Sequence, residues 1–177
     1  MPHNSYQRSF LKFVTGLTND RPADLAALLR RWDEPEMGPL PPVAGEDFPE
    51  VCAFLDRWVE VIDATDDADR VRLLNTLLAE AAAYPRITAH DGFSWHLHYR
   101  DDGIRLPAML RAVTSVAAAQ YLTSTSLHRL GRCAAPECRR AFVDFTRSGT
   151  QRYCTHACVN RDAVRRHRAR RKEALSR

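Results

Sequence analysis

Residues 133–161 read CAAPECRRAFVDFTRSGTQRYCTHACVNR, and the four cysteines in this stretch decide how the C-terminal part of the chain folds. Their spacing is Cys133-x4-Cys138-x15-Cys154-x3-Cys158. Two close pairs on either side of a long spacer supply four thiolates, which complete a tetrahedral zinc shell at about 2.3 Å per Zn–S bond and leave no position open. Such a site is structural, and one Zn2+ held by Cys133, Cys138, Cys154 and Cys158 is the expectation. The N-terminus, Met1 to Phe10, is polar and has no apolar signal segment. In a cytoplasmic chain thiols stay reduced, so clustered cysteines favour metal over disulfides. The competing readings are incidental thiols, two redox disulfides or an iron–sulfur cluster. His156 or His167 could also replace one cysteine as ligand.

The spacer supports a finger. Phe142-Val143-Asp144-Phe145 is β-prone, Ser148-Gly149 marks a turn, and Gln151-Arg152-Tyr153 leads the chain back. Cys158 then falls in the first turn of a helix running to about Ala174. On that helix Arg161, Arg165, Arg168 and Lys172 step by four, three and four residues and share one face, flanked by Arg166, Arg170 and Arg171. Val164 is expected as its main apolar contact with the finger. Arginine grips phosphate in two-pronged fashion and can address guanine edges. The candidate nucleic-acid contacts are therefore Arg152, Asn160, Arg161, Arg165, Arg166, Arg168, Arg170, Arg171 and Lys172. From Arg129 to Arg177 there are 14 Lys+Arg against four acids, a net of +10; the whole chain is +4, which leaves 4 − 10 = −6 for residues 1–128. An acidic body with a basic end is the asymmetry of a chain that meets a polyanion at that end. The plainer reading is a frayed basic tail that binds polyanions loosely.

Ahead of the finger, Phe10, Val14 and Leu17 predict a helix over residues 5–18. Leu25, Leu28, Leu29 and Trp32 predict a short one that starts near Pro22. Residues 33–49 hold five prolines and two glycines and read as an extended loop. Val51, Phe54, Leu55, Trp58, Val61 and Ile62 mark an amphipathic helix from Glu50 to about Ala64. Val71, Leu74, Leu77, Leu78 and Ala81 mark another from about Asp67 to Ala83. His90-Asp91-Gly92 between two β-prone runs, 86–89 and 93–100, signals a hairpin with Trp95, Leu97 and Tyr99 on one side and His96, His98 and Arg100 on the other, solvated side. A long helix is expected from about Pro107 to Leu130, running without a linker into the finger. The fold class is thus mainly α with a small β-hairpin (α+β), followed by a treble-clef-like zinc finger with four cysteine ligands and a basic helix. The domains read as 1–130 and 131–177. Hydrophobic content of 45% and charged content of 27% are those of a chain with a packed core. No apolar run is long enough to span a membrane.

Cys133-x4-Cys138, Phe142-x-Asp144-x-Thr146-Arg147 and Arg152-Tyr153-Cys154-x3-Cys158-Val159-Asn160-Arg161, with the Arg-rich helix behind them, resemble the CGNR zinc-finger family. The signature for which that family is named reads Cys158-Val159-Asn160-Arg161 here, with valine in place of glycine, and Tyr153 stands where tryptophan is usual. Valine accepts a helical first turn but not a left-handed one. The region before the finger is similar in length and order to the ABATE-type N-terminal domain of the same family. The resemblance implies a one-component, stress-induced transcription regulator: a small-molecule-sensing domain ahead of a zinc module that contacts double-stranded DNA.

An RNA-binding, ribosome-associated module is the alternative, since the same basic helix would serve it. Against it, Phe142, Phe145 and Tyr153 are expected in the finger's own small core and not as base-stacking platforms. The chain shows no nucleophile–base pair, no phosphate-cradling glycine loop and no supported carboxylate pair, so an enzyme is not expected. His96, His98 and Arg100 could hold a ligand, and Trp32, Trp58 and Trp95 could line an effector pocket, but a solvated strand face and core packing are the simpler assignments. Cys52 is read as a small buried residue. A cytoplasmic, nucleoid-associated protein is expected, as a homodimer, because one short helix gives a monomer limited specificity.

Overall fold

The computed structural model describes residues 5–88 and 96–175. Phe10, Val14 and Leu17, at helical spacing, form the buried face of α1 (Ser5–Asn19). The second helix, α2 (Leu25–Leu29), starts later than Pro22 because Asp24 caps it: its carboxylate accepts the Ala27 N–H at 2.6 Å. The Pro-rich stretch is not wholly extended. It contains a one-turn helix, α3 (Glu34–Met37), with Pro35 in its first turn, where a missing N–H costs nothing. Gly38 at φ 76° ends it, and Met37 is buried. Pro49 is likewise admitted within the first turn of α4 (Asp47–Asp63), which therefore begins before Glu50.

Helix α5 (Asp67–Ala81) is capped by Asp66, which accepts the Asp69 N–H at 2.9 Å. Its buried face is not the expected one: Val71 is exposed and Arg70 is buried beside Leu74 and Leu77. Arg70 turns back on the C-terminus of α4, where carbonyls lack helical partners. It donates to Val61 O (3.2 Å), Ile62 O (3.3 Å) and Ala64 O (2.5 Å), and also to Leu127 O. One guanidinium thus ties α4, α5 and the segment that enters the finger. Arg70→Met should therefore cost on the order of 3 kcal/mol, because these carbonyls lose their donor in a place water reaches poorly. Urea unfolding measures it, and a loss under about 1 kcal/mol would mean that solvent replaces the guanidinium.

Strands β1 (Arg86–Thr88) and β2 (His96–His98) pair antiparallel, Ile87 opposite Leu97. The expected turn and Trp95 lie outside the described residues. At Leu97 and His98 the polarity is the reverse of the sequence expectation: Leu97 and its partner Ile87 are 52% and 73% exposed, whereas the His98 side chain is 12% exposed and lies 3.8 Å from Asp102. Helix α6 (Leu106–Ser124) buries most of its length against α1, α4 and α5. It ends six residues before Leu130, because the Ser124 and Thr125 hydroxyls bond back to Tyr121 O and Ser126 caps a following 3-10 turn, Leu127–Arg129. Only then does β3 (Leu130–Arg132) begin. It pairs antiparallel with β4 (Ala141–Val143), Gly131 opposite Phe142.

The two-stranded β3–β4 ribbon is packed into the body. Leu130 and Ala141 belong to the same buried cluster as Phe10, Leu17, Trp58 and Leu110. Asn19, the last residue of α1, pairs like a strand with β4: its amide donates to Ala141 O (2.9 Å) and accepts the Ala141 N–H (2.7 Å). Arg140 grips Asp20 with both nitrogens, and Arg132 does the same to Asp63 at the end of α4. Phe145, expected in the finger's own core, instead packs on Tyr121 of α6 with ring centroids 5.0 Å apart, under the Arg8 guanidinium. Trp58 is fully buried, Trp32 packs edge-on against Phe10 and Phe13, and Cys52 is half-buried. No helix among the described residues is long and apolar enough to cross a membrane.

Candidate metal centre and basic helix

Cys133 follows directly on β3, and its N–H bonds Arg140 O (2.8 Å) across the ribbon. Between them the chain makes a tight knuckle: the Cys138 N–H reaches back to Ala135 O, and Arg139 takes the left-handed conformation at φ 54°. A non-glycine residue there costs about 1–2 kcal/mol, which closing the knuckle around a metal offsets. The second pair is placed by a different device. Asp144 is buried, and its carboxylate holds the loop together by accepting the Thr146 N–H (2.8 Å), the Thr146 hydroxyl (2.5 Å) and the Gln151 N–H (2.9 Å). Burial alone would raise its pKa; these bonds and Arg129 bring it below the usual carboxylate value. Gly149 sits in the loop at φ 66°, with the Arg129 guanidinium 2.7 Å from where a Cβ would be, so the turn needs glycine. The chain returns through Tyr153 to Cys154, and Thr155 caps α7 (His156–Leu175), its hydroxyl accepting the Cys158 N–H at 3.3 Å.

These devices bring all four sulfurs within 4.8 Å of one another. Cys138 Sγ lies 3.5 Å from Cys154 Sγ, which lies 3.8 Å from Cys158 Sγ. A tetrahedron of Zn–S bonds near 2.3 Å requires S–S separations of about 3.8 Å, so the donor set fits zinc. Cys133 and Cys158 are buried and Cys138 and Cys154 half-buried, while His156 and His167 are exposed and stand outside the cluster. The four sulfurs repel one another as anions. Burial and the neighbouring thiols push the Cys154 thiol up to about 12, whereas the Thr155 bond at the helix start lowers Cys158 to about 7. A dication resolves that conflict by holding four thiolates at once. The cluster is a site for one structural zinc, closed to substrate.

Asp162 joins the metal centre to the basic helix. It is 4% exposed and accepts the Tyr153 hydroxyl at 2.6 Å, one residue before Cys154. The same carboxylate takes Arg165 Nε (3.0 Å) and Nη2 (2.6 Å) on one oxygen and Arg166 Nε (3.0 Å) on the other. The Tyr153 bond and then Arg165 hold its pKa below the usual carboxylate value. Asp162, not Val164, is thus the contact back to the finger; Val164 is 49% exposed. From Ala163 to Leu175 every described residue of α7 is exposed.

The candidate contact residues are not equivalent. Asn160, Arg161, Arg165 and Arg168 line one groove of about 420 Å³ together with Val164 and with Glu137 from the knuckle. Arg166 is held by Asp162, Lys172 continues the face of Arg161 and Arg168, and Arg170 and Arg171 lie on the remaining sides. Arg152 is exposed on the segment that returns to Cys154 and is not among the groove residues. Reading the sequence by cationic stripe missed Asp162 and Glu137. Their signals were there: an aspartate three and four residues ahead of arginines on a helix, and an acid inside the first cysteine pair.

Val159, where the signature has glycine, is within α7, and among the described non-glycine residues only Arg139 has positive φ, so valine is unstrained there. No curated protein matches the chain. The family model for the CGNR zinc finger matches residues 129–171, from the turn before β3 to well along α7, and this segment is a zinc-binding module of that kind.

Proposed function

We propose that the protein is a DNA-binding transcription regulator whose zinc centre fixes α7 so that its basic face meets duplex DNA. One observation carries the reading: beyond Asp162 every described residue of the helix is exposed, and Arg165, Arg166, Arg168, Arg170, Arg171 and Lys172 lie on it. A free helix of such charge repels itself, and phosphates relieve the repulsion. Against loose tail binding stands the anchorage, through Asp162 to Tyr153 and Cys158 to the metal, with Arg132 and Arg140 tying the knuckle to the body. Phe145 and Tyr153 are engaged in packing, which supports duplex DNA over single-stranded RNA stacked on aromatics. The proposed role is binding and not catalysis, with operator symmetry supplied by a second copy.

The sensing part of the proposal rests on the ABATE-type resemblance and on Thr15, Trp58 and Thr114, whose buried polar atoms have no hydrogen-bond partner among the described residues. They belong to α1, α4 and α6, which pack on one another. Competition between duplex DNA and structured RNA for the zinc-loaded protein at fixed salt tests the target. The duplex should win, with log affinity falling against log salt at about 0.9 per phosphate neutralised. RNA displacing duplex at equal concentration would favour the ribosome- or RNA-associated reading.

A further inference from the structure

The cations of α7 fall into two physical kinds. Arg161, Arg168, Arg171 and Lys172 make no ion pair or hydrogen bond among the described residues, so their heads are free to follow a phosphate. Arg165 is fixed: Asp162 takes its Nε at 3.0 Å and its Nη2 at 2.6 Å, and Asp162 is itself buried and held by Tyr153. That carboxylate occupies one edge of the guanidinium. The other edge, with Nη1, remains for the groove that Arg165 lines. The groove is also more than a row of cations. It combines the donors Arg161, Arg165 and Arg168 with an acceptor, Glu137, an amide, Asn160, and an apolar spot, Val164. A carboxylate repels phosphate but accepts from base amino groups, and valine can meet a thymine methyl.

We infer that Arg165, positioned by Asp162, reads a guanine edge in the major groove, while Arg161, Arg168 and Lys172 hold phosphates. The inference rests on the proposed DNA-binding reading and adds to it which residue carries sequence preference. A fixed planar guanidinium satisfies the geometry of guanine O6 and N7, and little side-chain freedom is lost on contact. Asp162 acts through Arg165 as a positioning residue, so its effect should appear in preference and not in overall affinity.

The test is enrichment of bound sequences from random duplex DNA by the zinc-loaded full chain, with a salt titration on a random duplex and zinc content measured alongside. The parent should enrich guanine at one position, by roughly tenfold or more over the other bases. Arg165→Lys keeps the charge and should abolish that preference while leaving the salt slope unchanged. Asp162→Asn should do the same, with random-duplex affinity equal to the parent's or higher; where it fails to load zinc, Arg165→Lys decides alone. A parent that enriches no guanine, or an Arg165→Lys protein that keeps the parent's preference, overturns the inference. So does an Arg165→Lys protein whose guanine preference stands while its salt slope falls. Failure of the DNA-binding reading looks different: no salt-dependent duplex binding by the parent at all.

Discussion

Replacing Cys158 by alanine should empty the metal site and release α7, taking nucleic-acid binding with it. Zinc per chain should fall from about one to near zero, since three thiolates do not close a structural shell. Structural zinc contributes on the order of 10–16 kcal/mol of folding free energy to small fingers, far more than any contact of α7 with the rest of the chain. The helix has only Cys158 and Asp162 buried, and an isolated helix rich in like charges is marginal in water. Far-UV circular dichroism should therefore lose the signal of α7 while the helices of the body remain, because the β3–β4 ribbon is held independently by Asn19, Asp20 and Asp63. His156→Ala and His167→Ala should keep full zinc content, as both are outside the sulfur cluster. Zinc retained by Cys158→Ala and lost by either histidine variant would contradict the four-cysteine site.

The second large effect belongs to the free face of α7. Arg161→Gln, Arg168→Gln and Lys172→Gln together should lower the slope of log affinity against log salt by about 2.7, at 0.9 for each phosphate released. At 0.1 M salt the same arithmetic gives roughly a 500-fold loss of affinity. All three side chains are exposed, so stability should stay within about 0.5 kcal/mol of the parent. An unchanged slope, measured by fluorescence anisotropy on a labelled duplex, would place the phosphate contacts elsewhere.

Much of this was legible in the sequence. The metal site follows from cysteine spacing, because four thiolates in two close pairs have few other uses, and helical periodicity found α1, α4, α5 and most of α6. What was hidden had physical reasons. The end of α6 depends on hydroxyls of Ser124, Thr125 and Ser126 bonding locally, a weak signal in a run of good helix formers. Helix α3 hid behind Pro35, which breaks a helix interior but not a first turn. The buried face of α5 was misjudged because periodicity counts apolar residues, and Arg70 is buried for its donors. The hairpin's exposed face misled for the same reason in reverse, with Ile87 and Leu97 outward. At the basic helix the sequence supplied the charges but not their division. Only the geometry separates Arg165 and Arg166, tied to Asp162, from the free face beside them.

In the proposed function, zinc holds α7 as the surface that meets DNA. Hydrogen–deuterium exchange of the zinc-loaded chain, with and without saturating random-sequence duplex at low salt, tests it most directly. Protection should appear along Asn160–Lys172 and around Glu137, and leave α4 and α5 unchanged. Protection confined to the helical body, with α7 exchanging as fast as in the free protein, would contradict it.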